Sequence, residues 1–182
     1  MDRERFLEIV ENAKRVDDRP TVLKNLVRRP KSFHYYKLFV HLACAMNPEL
    51  IVELGCAAGT GALHFKHGAP QARVITVDIK MAKLTRDRLD AHDIERVICD
   101  STEYAKQIED GTVDICFIDA DHTYQAFKAD TEAWLPKMKP GGIILFDDVR
   151  MGKISDAWEE LDGDKLEVRE LHASYSFGVL FV

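Results

Sequence analysis

The sequence predicts an α/β domain: a seven-stranded, mostly parallel sheet with helices on both faces and an antiparallel hairpin at its C-terminal end. Three observations lead there. After Asn47-Pro48, short β-rich runs alternate with helical segments, which is the pattern of a parallel sheet covered on both sides. The first five runs each end in a polar or acidic residue. The last two runs are separated only by Ala173, Ser174 and Tyr175, and a parallel crossover needs about a dozen residues or more, so they must form a hairpin.

The N-terminal part reads as helical. Phe6, Ile9, Val10 and Ala13 recur at helical spacing until Asp17 to Pro20 interrupts them, and a second helical stretch runs from about Tyr35 to Met46. The predicted strands are 51–56, 73–78, 96–99, 113–119 and 142–147; a helix follows near 154–161, then strands 166–172 and 176–182. This is a Rossmann-like order, expected as one domain over 1–182, with residues 1–48 as N-terminal helices or a lid and 49–182 as the core. Trp134 and Trp158 fall in helices and read as core. Phe33, His34, Tyr35 and Tyr36 precede the core as helix packing or a lid.

Composition sets outer limits. The 182 residues are 46% hydrophobic and 31% charged, as in an ordinary globular protein, and the formal charge of −6 argues against a general nucleic-acid binder. Arg28-Arg29-Pro30-Lys31 is a basic knot that reads as a solvated turn. Cys44, Cys56, Cys99 and Cys116 lie in apolar segments without a CxxC pair, suiting buried thiols in a reducing cytosol. With no apolar run resembling a leader or a span, the expected location is the cytoplasm, away from membranes.

The first strand runs into Glu53-Leu-Gly55-Cys-Ala57-Ala-Gly59-Thr-Gly61 and then a helix beginning near Ala62. Such a loop lets a ligand approach backbone, although tight strand-to-helix packing is a competing reading. The nicotinamide fingerprint GxGxxG fails, because His64 stands at its third glycine when counted from Gly59, and Ala57 at its second when counted from Gly55. Asp78 ends the second strand, where a carboxylate can accept protons from both ribose hydroxyls. Asp100-Ser101 ends the third strand, where Asp100 could equally cap a helix.

At the fourth and fifth strand ends, Phe117-Ile118-Asp119-Ala120-Asp121-His122-Thr123-Tyr124 and Phe146-Asp147-Asp148-Val149 bring three acids together: Asp119, Asp147 and Asp148. Close carboxylates repel, and a hard divalent ion, Mg²⁺ above all, relieves that repulsion. The competing reading is that Asp147 and Asp148 are solvated strand-end acids. A neutral imidazole at His122 can accept a proton near neutral pH. Asp130 and Arg150 are further polar residues near the site, without an assignable role.

The loop resembles the first motif of class I methyltransferases, E/D-x-G-x-x-x-G, with Glu53, Gly55 and Gly59 in place and Ala57 where many members carry glycine. That resemblance implies S-adenosylmethionine as cofactor, held by Glu53, Gly55, Ala57, Gly59, Asp78, Asp100, Ser101, Asp119 and Asp121, with Asp100-Ser101 beside the adenine. The acidic motifs resemble metal-dependent O-methyltransferases acting on catechols and caffeoyl-coenzyme A, which carry Asp at position 119 and Asp-Asn at 147–148. Those enzymes place a catalytic lysine at 122. His122 with a following Pro-Gly-Gly turn is more similar to the branch of macrolide-sugar O-methyltransferases, where it implies a general base. The expected partner is therefore a small hydroxylated molecule, a sugar or catechol-like diol, with homo-oligomerisation open. A metal-independent methyltransferase and a non-catalytic cofactor-binding module remain alternatives.

Overall fold

The structure, a computed structural model, describes residues 1–16, 19, 23–24, 35–169 and 176–182. Helix α1 (Arg3–Arg15) starts where the Asp2 carboxylate accepts a hydrogen bond from the Arg5 amide. It carries Glu4 in its first turn and Lys14 and Arg15 in its last, each sign matched to its end of the helix dipole. It buries Phe6, Ile9, Val10 and Ala13, the four residues whose spacing predicts it. Helix α2 (Tyr35–Met46) follows and buries Tyr35, Leu38, Phe39 and Leu42.

The sheet comprises β1 (Leu50–Leu54), β2 (Arg73–Asp78), β3 (Glu95–Ile98), β4 (Val113–Ile118), β5 (Met138–Phe146), β6 (Asp164–Val168) and β7 (Phe177–Phe181). Their spatial order is β3-β2-β1-β4-β5-β7-β6, and β7 alone runs antiparallel to its neighbours β5 and β6. Between the strands lie α3 (Thr60–Gly68), α4 (Lys83–Asp90), α5 (Ser101–Ala105), α6 (Tyr124–Trp134) and α7 (Ile154–Glu160).

Alternation along the central strands sends successive side chains to opposite faces and builds two cores. Ile51, Ile115, Phe117, Leu145 and Val179 pack with α1 to α4. Val52, Val77, Ile118, Phe146 and Leu180 pack with α5 to α7, where Trp134 and Trp158 are both buried. Strand order reverses between β1 and β4, which opens a crevice at their carboxyl ends.

Several expectations need correction. β5 begins at Met138, so Pro140-Gly141-Gly142 lies inside a strand rather than in a turn before one. Two steps along β4 face five along β5 there, which makes the segment a bulge. The helix after the glycine-rich loop starts at Thr60. The hairpin pairs Val168 with Phe177, and the expected strand end at 170–172 lies outside the described residues. Cys44 is exposed and Cys99 half-buried; only Cys56 and Cys116 are buried, and all four are free thiols. The Arg28–Lys31 knot, Phe33, His34 and the residues Ala173 to Tyr175 lie outside the described residues, as do Asp17, Asp18 and Pro20. Among the described residues no helix is long and apolar enough to cross a membrane.

Candidate active site

The glycine-rich loop is held from three sides. The Gly55 amide donates to the Val77 carbonyl at 2.9 Å, and a Cβ at Gly55 would lie 1.9 Å from the carbonyl oxygen of Asp119, so no larger residue fits between the ends of β1 and β4. Asp78 accepts from the amides of Cys56 at 2.9 Å and Ala57 at 3.4 Å through Oδ2, and from Lys80 at 3.1 Å through Oδ1. Glu53 sits beneath the loop. It is buried and accepts from the Ala62 amide at 2.9 Å and the Thr76 hydroxyl at 2.7 Å. Burial outweighs those hydrogen bonds and pushes its carboxyl up to about 8. Ala57 has φ of 42°, a left-handed conformation that glycine adopts more readily.

A cavity of about 500 Å³ opens beside this loop. Of the expected cofactor residues it is lined by Gly55, Ala57, Asp78, Asp100, Ser101, Asp119 and Asp121. Glu53 and Gly59 are not among its lining residues: the first braces the loop from below, and the second caps α3 at φ 74°. Asp100 does both things the sequence allows, since it lines the cavity and its carboxylate accepts from the Thr102 and Glu103 amides to cap α5. The Thr102 hydroxyl, which donates to the same carboxylate at 2.6 Å, and then these amides hold its carboxyl below the usual range.

The cavity is acidic: Asp78, Asp100, Asp119, Asp121 and Asp130 line it, with Lys80 as the basic side chain. A pyrophosphate would meet repulsion, whereas a ligand carrying cationic centres would be stabilised. His64, which breaks the dinucleotide fingerprint, is buried and stacked on Tyr36 with ring centroids 5.0 Å apart. Asp130 has no role assigned by its sequence pattern. It lies in this wall, buried, and accepts a hydrogen bond from the Ser101 hydroxyl. Arg150 is held instead by Glu167 and Glu159.

The acid cluster forms where β4 and β5 end. The Asp119 amide donates to the Leu54 carbonyl at 2.9 Å and the Asp147 amide to the Ile118 carbonyl at 3.1 Å, so the sheet ladder sets both residues side by side. Asp119, His122 and Asp147 each offer one ligand atom, all within 4.8 Å of one another. His122 Nε2 is 3.5 Å from both Asp119 Oδ1 and Asp148 Oδ2, which sets the imidazole against the acid cluster. Burial first, then the charges of Asp119 and Asp148, push the Asp147 carboxyl up to about 8. The hydrogen bond that the His122 ring donates to Asp119, opposed by partial burial, raises the imidazole. Mutually repelling carboxylates of this kind fit a divalent cation, and the imidazole beside them has the chemistry of either a further ligand or a base. Tyr35, expected as packing or lid, also reaches the cluster: its hydroxyl donates to Asp147 Oδ2 at 3.3 Å while its ring stacks on Phe177.

The family model for the methyltransferase domain matches residues 52–149, which span the glycine-rich loop, the cavity and the acid cluster. The chain belongs to the class I S-adenosylmethionine-dependent methyltransferases. This methyltransferase is 31% identical over 121 residues to a Mycobacterium tuberculosis protein described as a probable O-methyltransferase, a match covering 58% of the chain and 51% of that protein. It is 38% identical over 64 residues to an uncharacterised Sinorhizobium fredii protein, a match covering 33% of the chain and 7% of the relative. The methyltransferase thus spans about half or less of the length of these relatives. Its fold matches that of the O-methyltransferase TomG from Streptomyces achromogenes, solved with S-adenosylmethionine, at a TM-score of 0.71 and 16% identity, covering 100% of this chain and 99% of that one.

Proposed function

We propose that the protein transfers the methyl group of S-adenosylmethionine to a hydroxyl oxygen of a small molecule carrying adjacent hydroxyls, a sugar or catechol-like diol, with the help of a divalent cation. The observation that carries this reading is the convergence of Asp119, His122 and Asp147 at one end of an acidic cavity, with Asp119 belonging to both. The resemblance to the Mycobacterium tuberculosis protein described as a probable O-methyltransferase supports oxygen as the accepting atom.

The residues divide the work. Asp78 and the loop it holds receive the ribose, Asp100 and Ser101 lie toward the adenine, and Asp119 and Asp121 supply negative charge toward the cationic end of the cofactor. S-adenosylmethionine supplies an electrophilic methyl group on its sulfonium. Asp119, Asp147 and Asp148 hold the cation, Mg²⁺ by their oxygen chemistry. When bound, it lowers the pKa of a substrate hydroxyl beside it. His122 accepts the hydroxyl proton on Nε2, and the neighbouring Asp119 and Asp148 stabilise the imidazolium that results. A base so placed contributes roughly 10²- to 10⁴-fold.

The test is calorimetric titration of S-adenosylmethionine, with NAD as control, followed by Mg²⁺, in the wild type and in His122→Ala. Binding of S-adenosylmethionine alone is expected, with Mg²⁺ bound by both proteins and methylation of a diol panel lost in the variant. Loss of Mg²⁺ binding in His122→Ala would make the histidine a ligand instead of the base. Absence of S-adenosylmethionine binding would overturn the proposal.

A further inference from the structure

Helix α6 contributes Ala126, Ala129 and Asp130 to the cavity wall, three and four residues apart and so on one helical face. Val77 and Ile79, at the end of β2, line the same cavity; Ile79 is 70% exposed, an unusual place for a large apolar side chain. Small alanines on one element and branched aliphatics on another make an apolar region suited to a flat ring. Its polar member is Asp130, only 4% exposed. Asp130 lines the cavity, and the hydrogen bond its carboxylate accepts among the described residues is the one Ser101 donates to Oδ1, so Oδ2 retains acceptor capacity.

The placement also fixes which end of a ligand this region meets. The acid cluster lies at the ends of β4 and β5, so the methyl group must be delivered there. Ser101 follows β3, at the opposite edge of the parallel part of the sheet. The Ser101–Asp130 pair therefore faces the far end of an extended cofactor, its base. A buried carboxylate kept without a cation needs donors. Burial, with Asp100 and Asp121 nearby, raises this carboxyl above the ordinary range although the Ser101 hydroxyl pulls it down, so a further donor from the ligand would be well used.

Resting on the cofactor reading above, we propose that Asp130 reads the 6-amino group of adenine, accepting one of its protons on Oδ2 while Ser101 holds the carboxylate through Oδ1. A 6-oxo purine would set a carbonyl oxygen against the same carboxylate. Asp130 is then a specificity-determining residue for the cofactor, separate from the groups that carry the chemistry.

The experiment compares binding of S-adenosylhomocysteine and its 6-oxo counterpart, S-inosylhomocysteine, by calorimetry. The wild type is expected to prefer the adenine form by about 10- to 100-fold, the range of a hydrogen bond to a charged acceptor. Asp130→Asn, whose amide can donate as well as accept, is expected to bring that ratio close to one, with circular dichroism and thermal melting reporting that the variant is folded. Ser101→Ala keeps the carboxylate but frees it, and is expected to weaken adenine-form binding several-fold while the preference persists in reduced form. Equal wild-type binding of the two ligands, or an unchanged ratio in folded Asp130→Asn, would overturn the assignment. Failure of the wild type to bind S-adenosylhomocysteine at all would instead remove the cofactor reading, and this inference with it.

Discussion

The carboxyl edge of the sheet holds two groups of acids that the fold treats differently. On the β1-β2-β3 side, Asp78 and Asp100 are satisfied by backbone amides, Asp78 by the loop it holds and Asp100 by the helix it caps. On the β4-β5 side, Asp119, Asp147 and Asp148 face one another and His122, and burial with mutual repulsion pushes Asp147 up to about 8. Acids of the first kind shape a cradle and persist without a ligand. Those of the second kind are placed at a cost to stability, and such costs mark where chemistry is done.

The strongest way to break this contrast is Asp147→Asn. Methylation is expected to fall roughly 10²- to 10⁴-fold, the range of a positioned catalytic group, while the metal-free protein becomes more resistant to heat because a buried repulsion is gone. A methylation assay checks the first half and thermal melting with and without Mg²⁺ the second; equal ion-induced stabilisation in variant and wild type would count against the cluster as a cation site.

Gly55→Ala probes the cradle side. A Cβ 1.9 Å from the Asp119 carbonyl oxygen must push the ends of β1 and β4 apart, at an expected cost of about 3 kcal/mol in denaturant unfolding.

A third measurement uses pH. Asp147 and Glu53 titrate near 8 when folded, above their ordinary values of 3.8 and 4.5, so the folded state binds more protons than the unfolded one between those limits. The stability they contribute is whole below about pH 4 and is lost as pH rises through about 8; the raised His122 imidazole acts in the same direction. Metal-free melting temperatures should carry this downward contribution from about pH 5 to about pH 8.5, reduced in Asp147→Asn and offset by Mg²⁺.

The smallest expected effect is at Ala57, whose φ of 42° disfavours a side chain. Ala57→Gly should leave the loop conformation unchanged and stabilise the protein by roughly 0.5–1 kcal/mol, after allowing for the greater entropy of an unfolded glycine.

Much of the fold was legible in order. The spacing of Phe6, Ile9, Val10 and Ala13 predicts the buried face of α1, and the runs ending at Asp78, Asp119 and Asp147 predict strands whose acids reach one edge. Local periodicity carries that information because each side chain's face follows from its own helix or strand. The hairpin was equally legible, because two strand runs so close in the chain can pair only antiparallel. The Pro140-Gly141-Gly142 bulge was missed because register against β4 is a property of two strands together.

At the site, the acid-rich strand ends, the Gly55 cradle and the presence of His122 beside Asp119 follow from residues close in the chain. Only the tertiary structure decided that Glu53 lies under the loop, that Tyr35 reaches Asp147 across 112 positions, and that Ser101 and Asp130 meet 29 positions apart in one cavity wall. Those partnerships depend on which helix covers which face of the sheet, and that is settled by packing two cores at once rather than by any one segment's pattern.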